Sequence, residues 1–181
     1  MKNTLKMMAV ALLAFGLFAC GETEKKLTVD DMKAAEKTLM NENWTMNMDV
    51  APEVAETYCK FVEQNPDDLT APTWLFHAME INVSLKNTDK SVELCNQLLD
   101  KYPDSKWSPK SLILLGSYVY EDQLNDTAAA HKAYQRLIDE YPNDSLCRDA
   151  KVLIQCLGLT DEEKLSVILM SQFEEEEEEM D

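Results

Sequence analysis

The chain has 181 residues and carries 34 acidic against 17 basic side chains, a formal net charge of −17. That length is enough for one domain with a substantial core. The acidity leaves no basic stripe to displace counterions from a phosphate backbone, which excludes nucleic acid as a partner, and it opposes electrostatic attachment to anionic headgroups.

Lys2 and Lys6 precede an unbroken apolar run, Met7–Ala19. As a helix this run is about 20 Å long, short of the roughly 30 Å hydrocarbon core of a bilayer, and it reads as a secretory leader, residues 1–19, rather than a membrane span. The run ends Leu17-Phe18-Ala19-Cys20. This is similar to the lipobox of bacterial lipoproteins, in which a small residue precedes an obligatory cysteine. The resemblance implies cleavage before Cys20, lipidation of Cys20, and a stable anchor made by several acyl chains. An ordinary cleaved leader ending beside a cysteine is the alternative. Residues 20–27 are expected to be the lipidated cysteine and a short tether. Gly21 directly after Cys20, where inner-membrane lipoproteins often carry Asp, points to an outer-membrane anchor facing the periplasm, with the cell surface as a second location.

From residue 28 the pattern is helical. Thr28 with Asp30 and Asp31 reads as an N-cap with first-turn acids, opening a helix to about Asn41. Residues 41–50 have no clear period, and Trp44, Met46 and Met48 are expected to pack on the first helices. Pro52, Val54, Ala55, Tyr58, Cys59, Phe61 and Val62 mark a second helix ending at Asn65-Pro66. Thr70-Ala71-Pro72 opens a third, and Asn87-Thr88-Asp89 breaks and recaps before a fourth. Ser108-Pro109 reads as an N-cap with a first-turn proline. The run Leu112–Tyr120 is apolar nearly all round, as a central helix should be. Gly116 within it costs about 1 kcal/mol of helix propensity, which suggests a close helix approach there. Asp126-Thr127, Ser145 and Thr160 (with Glu163) are expected caps for three further helices, and Gly158 a C-terminal cap. Leu165, Ile168, Leu169 and Phe173 are expected to cover the open end of the assembly. The acid run Glu174–Glu179 opposes the helix dipole and repels itself at i,i+4, so residues 174–181 are expected to form a frayed, solvated tail. Cys59, Cys95, Cys147 and Cys156 sit at helical positions too far apart for bridges and are expected as free thiols.

Two segments repeat: Leu94–Ser105, LCNQLLDKYPDS, and Tyr134–Ser145, YQRLIDEYPNDS, with a weaker copy at Tyr58–Asp68. Their prolines, 66, 103 and 142, stand 37 and 39 residues apart. A period of roughly 34–47 residues in a helix-rich chain means stacked helical hairpins. The pattern resembles the tetratricopeptide repeat family over roughly residues 52–158. Ala130, Tyr134 and Pro142 match its small–aromatic–proline spacing, while Leu137 departs from it. The resemblance implies an all-α fold, a right-handed superhelix of about four antiparallel hairpins spanning residues 28–173. In the family the first helix of each hairpin lines the concave face. That places Met79, Asn82, Lys110, Ser117, Tyr120, Arg148, Lys151 and Gln155 as candidate partner-binding residues. The register is open by a residue, because Ala78 and Gly116 are 38 apart while the prolines before them are 37 apart. Lys110, Arg148 and Lys151 would form a basic spot for an acidic segment or a C-terminal carboxylate; solvated residues on an outer face are the alternative.

The chain contains no G-x-S-x-G, H-E-x-x-H or C-x-x-C, and four glycines cannot build a phosphate-cradling loop. No enzyme activity, cofactor, metal or small-molecule substrate is expected. The reading is a lipid-anchored adaptor with protein or peptide partners in the bacterial envelope. It resembles two groups, the accessory lipoprotein of outer-membrane β-barrel assembly and the periplasmic coordinator of the Tol–Pal system. A surface-exposed structural or cargo-binding lipoprotein is the alternative.

Overall fold

The computed structural model describes residues 25–178 except 42 and 44. The leader, Cys20, the start of the tether, Trp44 and the side chains of the glutamate run therefore lie outside the described residues. The helices are α1 (Val29–Leu39), α2 (Ala51–Gln64), α3 (Ala71–Ser84), α4 (Thr88–Lys101), α5 (Trp107–Leu114), α6 (Thr127–Glu140), α7 (Leu146–Cys156) and α8 (Asp161–Glu178). A π-helical stretch, Leu115–Gln123, continues α5. Among the described residues the only sheet-like pairing is an isolated bridge between Met40 and Met46. Each helix packs on the next in chain order, and α3 and α5, then α5 and α7, also touch. That is a stack of antiparallel hairpins in which the first helices α3, α5 and α7 lie side by side.

The apolar spacing sets which faces close. In α2, Val54, Ala55, Tyr58, Phe61 and Val62 are buried, one stripe at i, i+1, i+4, i+7 and i+8. α3 is enclosed on three sides and buries Trp74, Leu75, Phe76, Ala78, Met79, Ile81 and Val83. Each large side chain so buried contributes about 1.5–3 kcal/mol. Leu27 is already part of the folded unit. Its N–H donates to Gln64 Oε1 at 2.7 Å, and its carbonyl accepts from Asn65 Nδ2 at 3.2 Å. The tether expected over residues 20–27 therefore gives way to fixed chain by Leu27.

The three proline turns share one construction. Asp68 Oδ1 accepts from Thr70 N, Ser105 Oγ from Trp107 N, and Asp144 Oδ1 from Leu146 N, at 2.7, 3.3 and 2.9 Å. In each turn an i→i+3 backbone bond follows, from Ala71, Ser108 and Cys147. The side-chain acceptors of these turns are thus Asp68, Ser105 and Asp144, one or two residues before the N-cap positions Thr70, Lys106 and Ser145, none of which caps with its own side chain. Ser108, expected as a cap, lies inside α5 instead, and Ser145 stands at the N-cap position of α7 as expected but makes no side-chain capping bond. One tight turn precedes each helix, and that turn's own side chain takes the first free N–H. Ser108 is buried, donating to the Tyr102 carbonyl at 2.7 Å. Cys147 takes the same position one repeat later, its thiol donating to the Tyr141 carbonyl at 2.9 Å. Asp126, Thr28 and Thr160 cap as expected, the last two in reciprocal boxes with Asp31 and Glu163.

The π stretch explains the uneven repeat. Ala71 and Ser108 are equivalent and 37 residues apart, whereas the caps Asn87 and Asp126, which open α4 and α6, are 39 apart. Two extra residues therefore fall within the third hairpin's first helix. A π bond closes i→i+5 instead of i→i+4, one residue more per turn, so about two such turns absorb the excess without lengthening the layer. Gly116 lies in this stretch against the ring of Tyr134, and a Cβ there would stand 2.8 Å from Tyr134 Cζ and 2.9 Å from Cδ1. The close approach expected from the glycine is therefore real, and its cause is the tyrosine of α6.

Two expectations for the C-terminus change. The helix α8 continues through Glu178, so the backbone of the acid run is helical rather than frayed that far. Leu165, Ile168, Leu169 and Phe173 do not seal the stack; they are exposed. Among the described residues the four cysteines are free, with Cys95, Cys147 and Cys156 buried and Cys59 half-buried.

Candidate partner-binding face

The first helices of the second, third and fourth hairpins each leave one stripe uncovered. On α3 it is Thr73, His77, Glu80 and Ser84; on α5 and its π continuation, Lys110, Leu114, Ser117 and Glu121; on α7, Arg148, Lys151 and Gln155. Each follows the i+3/i+4 alternation of one helix face. Because α3 touches α5 and α5 touches α7, the stripes lie side by side.

Aromatic groups join the first two stripes. Trp107 Nε1 donates to Thr73 Oγ1 at 2.9 Å, and the indole stacks on Phe76 with centroids 4.6 Å apart. The His77 ring lies 5.6 Å from Trp107 and 5.9 Å from Trp74, and His77 Nδ1 is 2.7 Å from Glu80 Oε2. Lys106 and Lys110 place their ammonium groups 4.9 and 5.0 Å from the centre of the Trp107 ring. Two cations on one indole are held by its quadrupole, worth about 0.5–1 kcal/mol each at an exposed site. At the other end of the face, Ser117 Oγ is 2.8 Å from Tyr134 Oη, and Glu121 pairs with Lys164 of α8 at 2.7 Å. Burial pushes the Tyr134 phenol up to about 12. The face is therefore graded: Lys106, Lys110, Arg148 and Lys151 lie near the helix starts, Glu80 and Glu121 near the ends.

Of the residues expected here, Lys110, Arg148, Lys151 and Gln155 are exposed on this face and Ser117 is half-buried on it. Met79 and Asn82 are buried; the Asn82 amide donates to the Ala78 carbonyl at 2.8 Å and its oxygen accepts from Asn87 Nδ2 at 3.1 Å. Neither offers a surface to a partner, because the open stripe of α3 runs 73–77–80–84. Tyr120 turns to the opposite side, beside Val92, Asn96, Ala133 and Arg136 of α4 and α6. The wider π turn rotates it there. Sequence reasoning missed Thr73, His77, Glu80, Trp107 and Glu121. The readable signal was an indole between two lysines, Lys106-Trp107 and Lys110, at the start of a helix.

No cluster of His, Cys, Asp and Glu suited to a metal occurs among the described residues. No described helix is long and apolar enough to cross a membrane.

The tetratricopeptide repeat family model matches residues 75–105 and 111–144. These two stretches take in most of α3–α4 and of α5–α6 with the turns that follow them. The fold is an all-α, tetratricopeptide-like solenoid. The flanking pairs, α1–α2 and α7–α8, complete the stack outside the matched repeats. A comparison with curated proteins finds no match. Tetratricopeptide repeats are generally non-catalytic and suggest an adaptor for other proteins.

Proposed function

We propose that the chain is a non-enzymatic adaptor held at the bacterial outer membrane through a lipid on Cys20 and working in envelope assembly or maintenance. Its graded face on α3, α5 and α7 takes an acidic segment or C-terminal carboxylate of an envelope protein. The observation that supports this most is the gathering of Lys106, Lys110, Arg148 and Lys151 near the helix starts of one face in a chain of net charge −17. In a generally acidic protein, a local basic surface steers an anionic partner and sets its orientation. The leader and the residues around Cys20 support the anchor, and the tetratricopeptide match supports the adaptor role.

The test is crosslinking in living cells followed by recovery of the lipidated protein. Three forms are compared: the natural chain, Cys20→Ala, and Lys110→Glu with Lys151→Glu. The expected result is one set of envelope proteins recovered with the natural chain, lost with Cys20→Ala, and lost with the charge reversal although the protein is still anchored. Recovery unchanged by the charge reversal refutes the face; recovery unchanged by Cys20→Ala refutes the anchor.

A further inference from the structure

The last helix is docked by its weaker side. α8 packs against α7, and its half-buried residues Lys164, Val167 and Ser171 share one face. Leu165, Ile168, Leu169 and Phe173 point away, 57%, 40%, 45% and 66% exposed. Four large apolar side chains at i, i+3, i+4 and i+8 form the stripe a helix normally buries, and a contiguous apolar patch of this kind marks an interaction surface. Its ends carry charge of one sign. Asp161, Glu162 and Glu163 precede it, and Glu174–Glu179 follow it in the chain. Lys164 is the one cation in α8, and it is already engaged by Glu121 at 2.7 Å.

We propose that this stripe receives a basic amphipathic helix from a partner protein. Such a helix would lay an apolar face on Leu165, Ile168, Leu169 and Phe173 and place Lys or Arg at both ends. Charge selects this occupant. A second copy in antiparallel pairing sets Asp161–Glu163 beside its own glutamate run. Parallel pairing sets glutamate run on glutamate run, between chains of charge −17 each. Both juxtapositions are repulsive, and an anionic bilayer is repelled for the same reason. The stripe lies on residues of α8 other than Lys164, which meets Glu121 at the end of the graded face, so its failure leaves the adaptor reading standing.

The test uses the full-length chain and two labelled synthetic helices of equal length, with the same leucine stripe, ended by lysines in one and by glutamates in the other. Binding is followed by fluorescence anisotropy. The lysine-ended helix is expected to bind and to weaken as salt is raised. It should lose at least tenfold in affinity with Leu169→Glu plus Phe173→Glu, and be unaffected by Leu69→Glu, a substitution at an exposed leucine elsewhere. Circular dichroism verifies that the variants keep their helices. Equal binding of the glutamate-ended helix, or unchanged binding by the double variant, overturns the proposal. So does sedimentation showing a dimer that the double variant disperses, which assigns the stripe to a second copy. Attachment to phosphatidylglycerol vesicles abolished by the same variant overturns it in favour of lipid.

Discussion

Replacing Gly116 with alanine tests the contact on which the third hairpin closes. The added Cβ stands under 3 Å from three ring atoms of Tyr134, a side chain with no exposed surface. A buried ring cannot move aside as a flexible side-chain end can, so the overpacking costs about 1–3 kcal/mol. Displacing the ring also strains the hydrogen bond between Tyr134 Oη and Ser117 Oγ, worth about 1 kcal/mol. Against these, alanine gains about 1 kcal/mol over glycine in helix propensity. The net is a loss of about 1–3 kcal/mol, which for a chain of this size lowers Tm by about 3–10 °C. Urea unfolding followed by far-ultraviolet circular dichroism should show a lower midpoint with an unchanged slope. The decisive comparison is the same substitution in a Tyr134→Leu background. Without the ring only the propensity gain remains, so Gly116→Ala should there be neutral or stabilising by up to about 1 kcal/mol. A single variant as stable as the parent, or the same loss in both backgrounds, refutes the account.

Three further outcomes are expected. Gly158 closes α7 with φ of +76°, and a Cβ added there would meet nothing within 4 Å, so Gly158→Ala should cost about 1–2 kcal/mol through backbone strain alone, measured by the same unfolding curve. Cys147→Ser should stay within about 1 kcal/mol of the parent, because the hydroxyl can donate to the Tyr141 carbonyl as Ser108 does to Tyr102; a larger loss means the thiol is held by packing instead. Burial pushes Tyr58 and Tyr134 up to about 12 from an ordinary 10, Tyr58 with help from nearby Glu36. Because their folded values are raised, the stability they contribute is complete below pH 10 and is lost as pH rises from 10 through 12. Alkaline unfolding should track tyrosinate absorbance, and Tyr134→Phe should blunt it.

The hairpin stack was legible because its signals are redundant: the proline period, the apolar stripes and the tight glycine all point to one packing. The binding face was less so. Met79 and Asn82 were expected on it because apolar and polar spacing in α3 leaves the rotation open, and enclosure by three neighbours decides it. Tyr120 was misplaced by the π stretch. Hydrophobic periodicity assumes a uniform turn, and nothing in the residues Leu115–Gln123 announces a wider one except the mismatch between the 37- and 39-residue spacings. Ser108 and Ser145 make no N-capping bond because a tight turn precedes each helix and that turn's own side chain, Ser105 or Asp144, takes the first free N–H. For α8, the apolar stripe is readable from the residues, but the side on which the helix docks is not.

The second and third hairpins are fastened to each other at both rims. At the proline rim Trp107 Nε1 of α5 donates to Thr73 Oγ1 of α3 at 2.9 Å, and at the opposite rim Gln123 Nε2 donates to the Val83 carbonyl at 2.8 Å. A joint pinned on both edges resists torsion as well as splaying, as a hinge with two pins resists twist. Mechanically, the middle of the solenoid behaves as a stiff beam, and elastic accommodation of a load falls on the outer joints.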